Sequence, residues 1–507
     1  MADTADLGFV RRINGMRGIF QALVYLGLGA LGALGQAPWG LWPLTILSLA
    51  LIFALFRQTA GPRQAALLGG IAGLGYFMLA LSWIIEPFLV DVARHGWMAP
   101  FALVGLSAFL ASYWALAFTA ARAAGGGALA LIVCFTLAAW LRGYLFTGFP
   151  WAQVGHAWID TPMLQWASFI GSLGLTATLM AAAAGLWHLV SGQRIAGGVT
   201  LSSVAVLYLT GPVVNVPAHT ASVERPMIRL IQPNAAQHEK WDPAMMPVFF
   251  NRQLEFSAAG PSRPDLIVWP ETSVPVLLQN ADAAFGSMSD AAGGVPVIAG
   301  LQRLDGPRIY NSLVTLGAGG ELAALYDKHH LVPFGEFVPF GDFMARFGIA
   351  GIAAQNGNGF SAGPRGQIID LGDLGKALPL ICYESVFARD LRAAPERADF
   401  ILLITNDAWF GKVSGPYQHL AQARLRSVEQ GLPMVRVANT GVSAMIDANG
   451  LITHHLPLGQ AGWVDAPLPL PHPPTFYARI GDLPILAVLV LVLAGVTLVR
   501  RAGRRTT

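Results

Sequence analysis

Charge is what this chain has least of: Asp, Glu, Lys and Arg together make up 12% of its 507 residues, about half the roughly 25% usual in soluble domains. With 54% hydrophobic residues and a mean hydropathy of +0.52, it falls outside the soluble globular class and reads as a membrane protein. Cysteine is nearly as scarce. There are two, Cys134 inside a long apolar stretch and Cys382 in "PLICYES", so a disulfide framework is excluded and chemistry becomes the live reading of Cys382. Chelating motifs are missing as well. His329-His330 and His454-His455 are adjacent pairs, and neighbouring side chains on a strand point to opposite faces, so no metal is expected, and no cofactor either. The net charge of +3 comes largely from arginines bordering apolar runs, which is no argument for nucleic acid.

The apolar density is uneven. It dominates residues 19–213 and 483–499, with ordinary globular patterning between them. Three regions are therefore expected: a membrane domain over 1–213 with seven transmembrane helices, an extracytoplasmic α/β domain over 225–470, and an eighth helix with a basic tail over 483–507. A bilayer core of roughly 30 Å takes about 20 apolar residues per helix. The candidate spans, about eight in all, are 19–37, 41–56, 65–86, 98–121, 127–147, 163–190, 195–213 and 483–499. Arg11, Arg12 and Arg17 precede the first; Arg57, Arg63, Arg122, Arg194 and the tail "RRAGRR" fall on the same side, which puts both termini in the cytoplasm. Arg94 and Arg142 are isolated exceptions near the opposite face, where interfacial placement accounts for them. "GALGQAP" is a poor cleavage site, so the first span is expected to stay uncleaved. "GFPWAQVGHAW" at 148–158 has the composition of an interfacial anchor.

Between the membrane segments, short apolar runs end abruptly in polar residues: "MIRLIQPN" (227–234), "DLIVWPE" (265–271), "PVIAGLQ" (296–302), "LAALYDK" (322–328), "ALPLIC" (377–382) and "FILLITND" (400–407). These are buried-strand signatures. "YQHLAQARLRSVEQG" reads as a helix stopped by Gly431 and Pro433, and Asn449-Gly450 as a hairpin turn. Three strand ends carry Glu271, Lys328 and Cys382. A thiol needs a base or a nearby cation to react at neutral pH, Glu271 can be that base, and Lys328 with the N–H of Tyr383 can neutralise an oxyanion. Singly, each has a plainer reading: a solvated Glu, a small core Cys.

Together, "WPE" (269–271), "YDKHHLVPFGEFVP" (326–339), "ICYES" (381–385) and "NDAWFG" (406–411) make the chain similar to the bacterial apolipoprotein N-acyltransferases, a membrane branch of the nitrilase (carbon–nitrogen hydrolase) superfamily. The resemblance runs over nearly the whole chain. It implies a four-layer α-β-β-α domain and a Glu271, Lys328, Cys382 triad. It also implies that Glu336 orients the lysine and that Trp241 in "QHEKW", Tyr383 and Glu384 serve the pocket. Asn311 in "YNS" is open between a pocket role and a turn residue. The implied reaction has two halves. Cys382 takes an acyl chain from a phospholipid, typically phosphatidylethanolamine, as a thioester, and the α-amine of an S-diacylglyceryl-cysteine on an apolipoprotein then takes it from the enzyme. The resemblance further implies a monomer in the bacterial inner membrane with its catalytic domain on the periplasmic side.

Rival readings remain. A membrane-anchored nitrilase-type amidase would use the same triad with water as acceptor. A transporter would carry ionisable residues within its spans, and these are few. His419 and Asp407 suggest a Cys-His protease, but no local signature of those families surrounds Cys382. Residues 334–360 are aromatic and apolar enough for a lid dipping toward acyl chains, or simply for covering the domain's own core.

Overall fold

The computed structural model describes residues 12–13, 15–16, 18–214, 225–339 and 359–505, with side chains described as far as 502. Arg11, Arg17 and the 340–358 part of the expected lid lie outside the described residues. The chain divides into two compact units, Met1–Val216 with Phe476–Thr507, and Pro217–Thr475.

The first unit is helical. Among the described residues four stretches are long and apolar enough to cross a membrane: Val92–Ala123, Pro162–Val190, Arg194–Val214 and Leu483–Ala502. Pro62–Ala80 with Ser82–Leu89 makes a fifth if counted as one span bent by 64°. Gly18–Ala33, Trp42–Arg57 and Ala128–Tyr144 are apolar but only 16, 16 and 17 residues long. The expected run 19–37 is cut short because residues 34–40 wind into successive turns, where Pro38 has no N–H to continue a helix. Helices approach closely where glycine allows it. A Cβ on Gly29 would stand 1.7 Å from the carbonyl oxygen of Ala72, which is the small-residue packing that membrane helices use.

Arg142 is buried inside the protein; it is 4% exposed, and its guanidinium donates to the carbonyls of Phe149 and Trp151 at 2.9 and 2.7 Å. Segment 148–158 does not present its tryptophans at the protein surface. Trp151 and Trp158 are buried, their rings against Trp83 and Trp42 at 4.7 and 5.3 Å. A buried guanidinium needs acceptors, and carbonyls of the segment that follows the helix end at Tyr144 supply them.

The second unit holds two six-stranded sheets. The first has the order β12-β1-β2-β3-β4-β5, from β1 (Met227–Gln232), β2 (Leu266–Val268), β3 (Val297–Asp305), β4 (Arg308–Leu316), β5 (Leu322–Asp327) and β12 (Gly462–Pro467). The second has the order β11-β10-β9-β8-β7-β6, from β6 (Ile369–Asp370), β7 (Lys376–Ile381), β8 (Phe400–Thr405), β9 (Met434–Ala438), β10 (Ser443–Ile446) and β11 (Ile452–Leu456). In each sheet three strands run parallel, β1, β2, β3 and β7, β8, β9, with antiparallel strands outside them. β1 packs across on β9 and β10, and β4 on β7, so the sheets lie face to face. Helices Met246–Ala258 and Asp282–Ala292 cover the outer face of the first through Phe250, Leu254, Phe285 and Met288. Helix Gly415–Gln430 covers the second through Leu420 and Ala423. Strands covered on both faces must be apolar throughout, and all six residues of β8 are buried. The architecture is a four-layer α-β-β-α sandwich.

One glycine places a functional loop. Gly300 in β3 donates to the carbonyl of Pro270 and accepts from Ser273, so residues 270–273 lie directly across it. A Cβ there would meet the nitrogen of Thr272 at 2.4 Å and Cα of Glu271 at 2.7 Å. Gly300→Ala is expected to lower the apparent melting temperature in detergent, corresponding to about 1–3 kcal/mol of overpacking. Gly286→Ala, in the middle of helix Asp282–Ala292 with open space around it, should raise it, corresponding to about 1 kcal/mol of added stability. Equal melting temperatures for the two variants would contradict the close approach.

Candidate active site

Cys382 stands immediately after β7 with φ +52°, a left-handed conformation that non-glycine residues seldom adopt. The turn Cys382–Val386 follows, and the Glu384 carboxylate inside it reaches back to accept the N–H of Ile381 at 2.7 Å. Its other oxygen accepts from the Tyr326 hydroxyl at 2.8 Å and from the N–H groups of His329 and His330 at 2.7 and 3.1 Å. Glu384 thus buckles the end of β5 to the end of β7. Burial pushes its carboxyl up to about 7, against the Ile381 N–H, Lys328, the His330 N–H and the Tyr326 hydroxyl.

That buckle sets the position of Lys328, one residue beyond β5. The ammonium is 1% exposed and donates to Glu336 Oε1 at 2.9 Å, with Glu271 Oε1 at 3.6 Å. Burial alone would lower its pKa; Glu336, Glu271 and Cys382 outweigh burial and hold it above the ordinary lysine value, so it stays charged. Glu336 is fixed by the N–H of Val332 on Oε2 at 2.8 Å. Glu271 is fixed at both oxygens, by Asn311 Nδ2 on Oε1 and by the N–H of Asn406 on Oε2, each at 2.7 Å. The same Asn311 amide donates to Glu336 at 3.2 Å. Two carboxylates therefore share one buried amide and one ammonium.

The Cys382 thiol is buried among these groups. Burial first, and then the charge of Glu271, pushes its pKa above the usual thiol value, while Lys328 and a hydrogen bond with Thr405 pull it down. A proton acceptor and a cation beside a nucleophile on a strained elbow are what acyl capture by sulfur requires.

The sequence-derived candidates fall into three groups. Glu271, Lys328, Cys382, Glu336 and Asn311 form one connected cluster. Asn311 is no turn residue: it lies within β4, opposite Gln302. Glu384 is a brace under the cluster. Trp241 and Tyr383 sit further out. Trp241 is 44% exposed and borders a cavity of ≈ 20 Å³ lined also by Thr272 and Lys240. Tyr383 is buried, its ring edge-on to His330 and Phe387 at 5.7 and 5.0 Å. Two residues escape a reading by motif. Asn406 acts through its backbone, which composition cannot reveal. Lys240, beside Trp241, donates to the Glu271 carbonyl at 3.1 Å and to Thr272 Oγ1 at 2.8 Å. Burial pushes its ammonium down to about 8, against the charge of Glu271. Among the described residues no group of three or more His, Cys, Asp or Glu could hold a metal.

Comparison with known proteins places the chain. Residues 28–185 match the family model of the apolipoprotein N-acyltransferase N-terminal domain, and residues 234–471 match that of carbon-nitrogen hydrolase. The chain is 37% identical to the apolipoprotein N-acyltransferase of Brucella melitensis biotype 1, covering 98% of each chain. It is 37% identical to that of Bradyrhizobium diazoefficiens over 96% of each chain, and 36% identical to that of Rhodopseudomonas palustris over 95% of each. The chain belongs to the apolipoprotein N-acyltransferase family. In this member the motifs "WPE", "YDKHHLVPFGEFVP" and "ICYES" supply the cluster from three strand ends, and "NDAWFG" supplies the N–H that holds Glu271.

Asn311 offers a test of the cluster that does not depend on any substrate. Asn311→Asp puts a third carboxylate between Glu271 and Glu336 and raises the Cys382 thiol further. One added pKa unit leaves about tenfold less thiolate. Alkylation of Cys382 by iodoacetamide, followed by intact mass with Cys382→Ala as background, should slow about tenfold or more in folded Asn311→Asp. An unchanged rate would remove Asn311 from the electrostatics of the site.

Proposed function

We propose that this membrane enzyme transfers a fatty acyl chain from a phospholipid to the N-terminal S-diacylglyceryl-cysteine of apolipoproteins, with Cys382 as nucleophile, Glu271 as base and Lys328 as oxyanion partner. The observation that carries the reading is the buried cluster itself. A thiol pushed up by burial is no standing thiolate, so its proton has to leave as sulfur attacks, and Glu271 is the carboxylate beside it. In the first half-reaction Sγ bonds to the ester carbonyl carbon while Glu271 takes the thiol proton, and the ammonium of Lys328 faces the new oxyanion. Collapse breaks the ester C–O bond, the departing lysophospholipid takes the proton from Glu271, and a thioester remains on Cys382. In the second half the lipoprotein amine attacks that thioester and gives its proton to Glu271. The C–S bond breaks and the thiol is reprotonated.

Phosphatidylethanolamine is the donor this reading favours, and a monomer in the inner membrane is its working form. The arginine pattern supports cytoplasmic termini and a periplasmic catalytic unit. Bilayer diffusion then delivers both lipid substrates to one site. A site whose nucleophile and charges are nearly all buried keeps water from the thioester, which favours transfer over hydrolysis.

Incubation with phospholipid should give a fatty-acyl adduct on Cys382 by intact mass, and Cys382→Ser should give none while still inserting into membranes. With both substrates varied, initial-rate plots should be parallel lines, because the lyso product leaves before the amine arrives. Glu271→Gln and Lys328→Met should each slow adduct formation about 100-fold or more. Intersecting plots, or fatty-acid release at the turnover rate when the acceptor amine is blocked, would overturn the proposal.

A further inference from the structure

Behind the nucleophile lies a second buried cluster that the chemistry above does not use. Asp407 and Arg436 are wholly buried, with Arg436 Nη2 donating to Asp407 Oδ2 at 2.6 Å. Thr405 Oγ1 donates to Asp407 Oδ1 at 2.8 Å, and His419 Nδ1 meets the same oxygen at 2.9 Å. Burial works against the Asp407 carboxylate, but Arg436 and His419 outweigh it and hold its pKa well below the usual range. Asp407 Oδ1 and Arg436 Nη2, the latter 3.1 Å from Nδ1, fix the imidazole ring between them. The other nitrogen, Nε2, stands 2.8 Å from Ser385 Oγ and 3.2 Å from the carbonyl oxygen of Cys382; since the Ser385 hydroxyl donates to that carbonyl at 3.0 Å, Nε2–H is the donor to these two oxygens.

We propose that His419, fixed by Asp407 and acting with Ser385, is a positioning residue for the nucleophile: it holds the carbonyl of Cys382 and so keeps the left-handed elbow that delivers Sγ to Glu271 and Lys328. Non-glycine residues leave φ +52° unless their surroundings over-determine it. Here the Cys382 carbonyl is gripped from outside its own strand. The grip is shared with the base, because Asp407 follows directly on Asn406, whose N–H holds Glu271 Oε2. One turn at the end of β8 therefore registers nucleophile and base against each other. A Cβ on Gly441, between β9 and β10, would stand 2.3 Å from Asp407 Oδ2, so glycine is needed for that segment to close on this carboxylate.

The proposal rests on the acyl-transfer reading, and its test separates the two. Full-length protein in detergent is mixed with phosphatidylethanolamine, and the rate and final amplitude of the Cys382 adduct are followed by intact mass. His419→Ala should slow the rate about 10–100-fold at full amplitude, with the phospholipid KM within about threefold of wild type, since sub-ångström misplacement of a nucleophile acts on the chemical step. His419→Gln, whose amide reaches the same carbonyl, should recover to within about fivefold of wild type. Ser385→Ala, the mildest change, should slow the rate about 3–10-fold and decides the matter if His419→Ala does not fold. A wild-type rate in folded His419→Ala or in Ser385→Ala overturns the proposal, as does reduced amplitude at an unchanged rate, which marks a folding role alone. If wild type itself forms no adduct, the acyl-transfer reading fails instead. Iodoacetamide alkylation of Cys382 then still judges the positioning role, and equal rates in wild type and variants overturn it.

Discussion

The burial of one ammonium group governs this catalytic unit. Lys328 is almost fully removed from solvent, and an ion so placed costs several kcal/mol unless it is paired and hydrogen-bonded. Glu336 and Glu271 supply the pairing, but two carboxylates drawn to one cation also repel each other. Asn311 relieves that conflict with a single amide that both accept. The arrangement that makes a buried lysine tolerable is therefore the same one that surrounds a thiol with a base and a cation. Stability and reactivity are not separate demands on these positions.

The topology explains how side chains so distant in sequence meet. Glu271, Lys328 and Cys382 each follow the end of a different strand, and the strands come from both sheets. A strand end is where the backbone is free to turn while the residue before it remains clamped in a ladder. Glu384 turns that freedom into rigidity: four donors, from the ends of β5 and β7 and from the segment after β5, converge on one carboxylate, so the lysine loop and the cysteine elbow cannot shift independently. Gly300 does the same for Glu271 by letting the loop lie flat on β3.

Much of this is legible in the amino-acid sequence because buried strands are apolar throughout and the reactive residues interrupt them. "FILLITND" shows both halves of the pattern. Asn311 is harder, since asparagine is poor in strands and "YNS" has the composition of a turn; only its place opposite Gln302 and between two carboxylates reveals its job. Glu384 looks like a polar surface residue until its donors, supplied from around residues 326–330, are seen. His419 and Asp407 invite a protease reading by residue type, whereas their geometry directs them to a backbone carbonyl. In the membrane unit hydropathy reports composition but not where turns cut a run, so the runs 19–37 and 127–147 are helical only over Gly18–Ala33 and Ala128–Tyr144. Trp151 and Trp158 likewise carry an interfacial composition into a buried site, beside a guanidinium that satisfies the local carbonyls.

The pairing of β1 with β12 has a consequence for how the protein is made. The register Met227↔Pro467 joins positions about 240 residues apart, which at ~5–20 residues per second separates their synthesis by about 10–50 s. Until β12 is added, β1 has an open edge, and an unpaired edge is a template for mispairing with another chain. The first sheet therefore closes only when almost the whole unit has been made. A nascent chain halted early would present an incomplete sheet rather than a smaller folded domain.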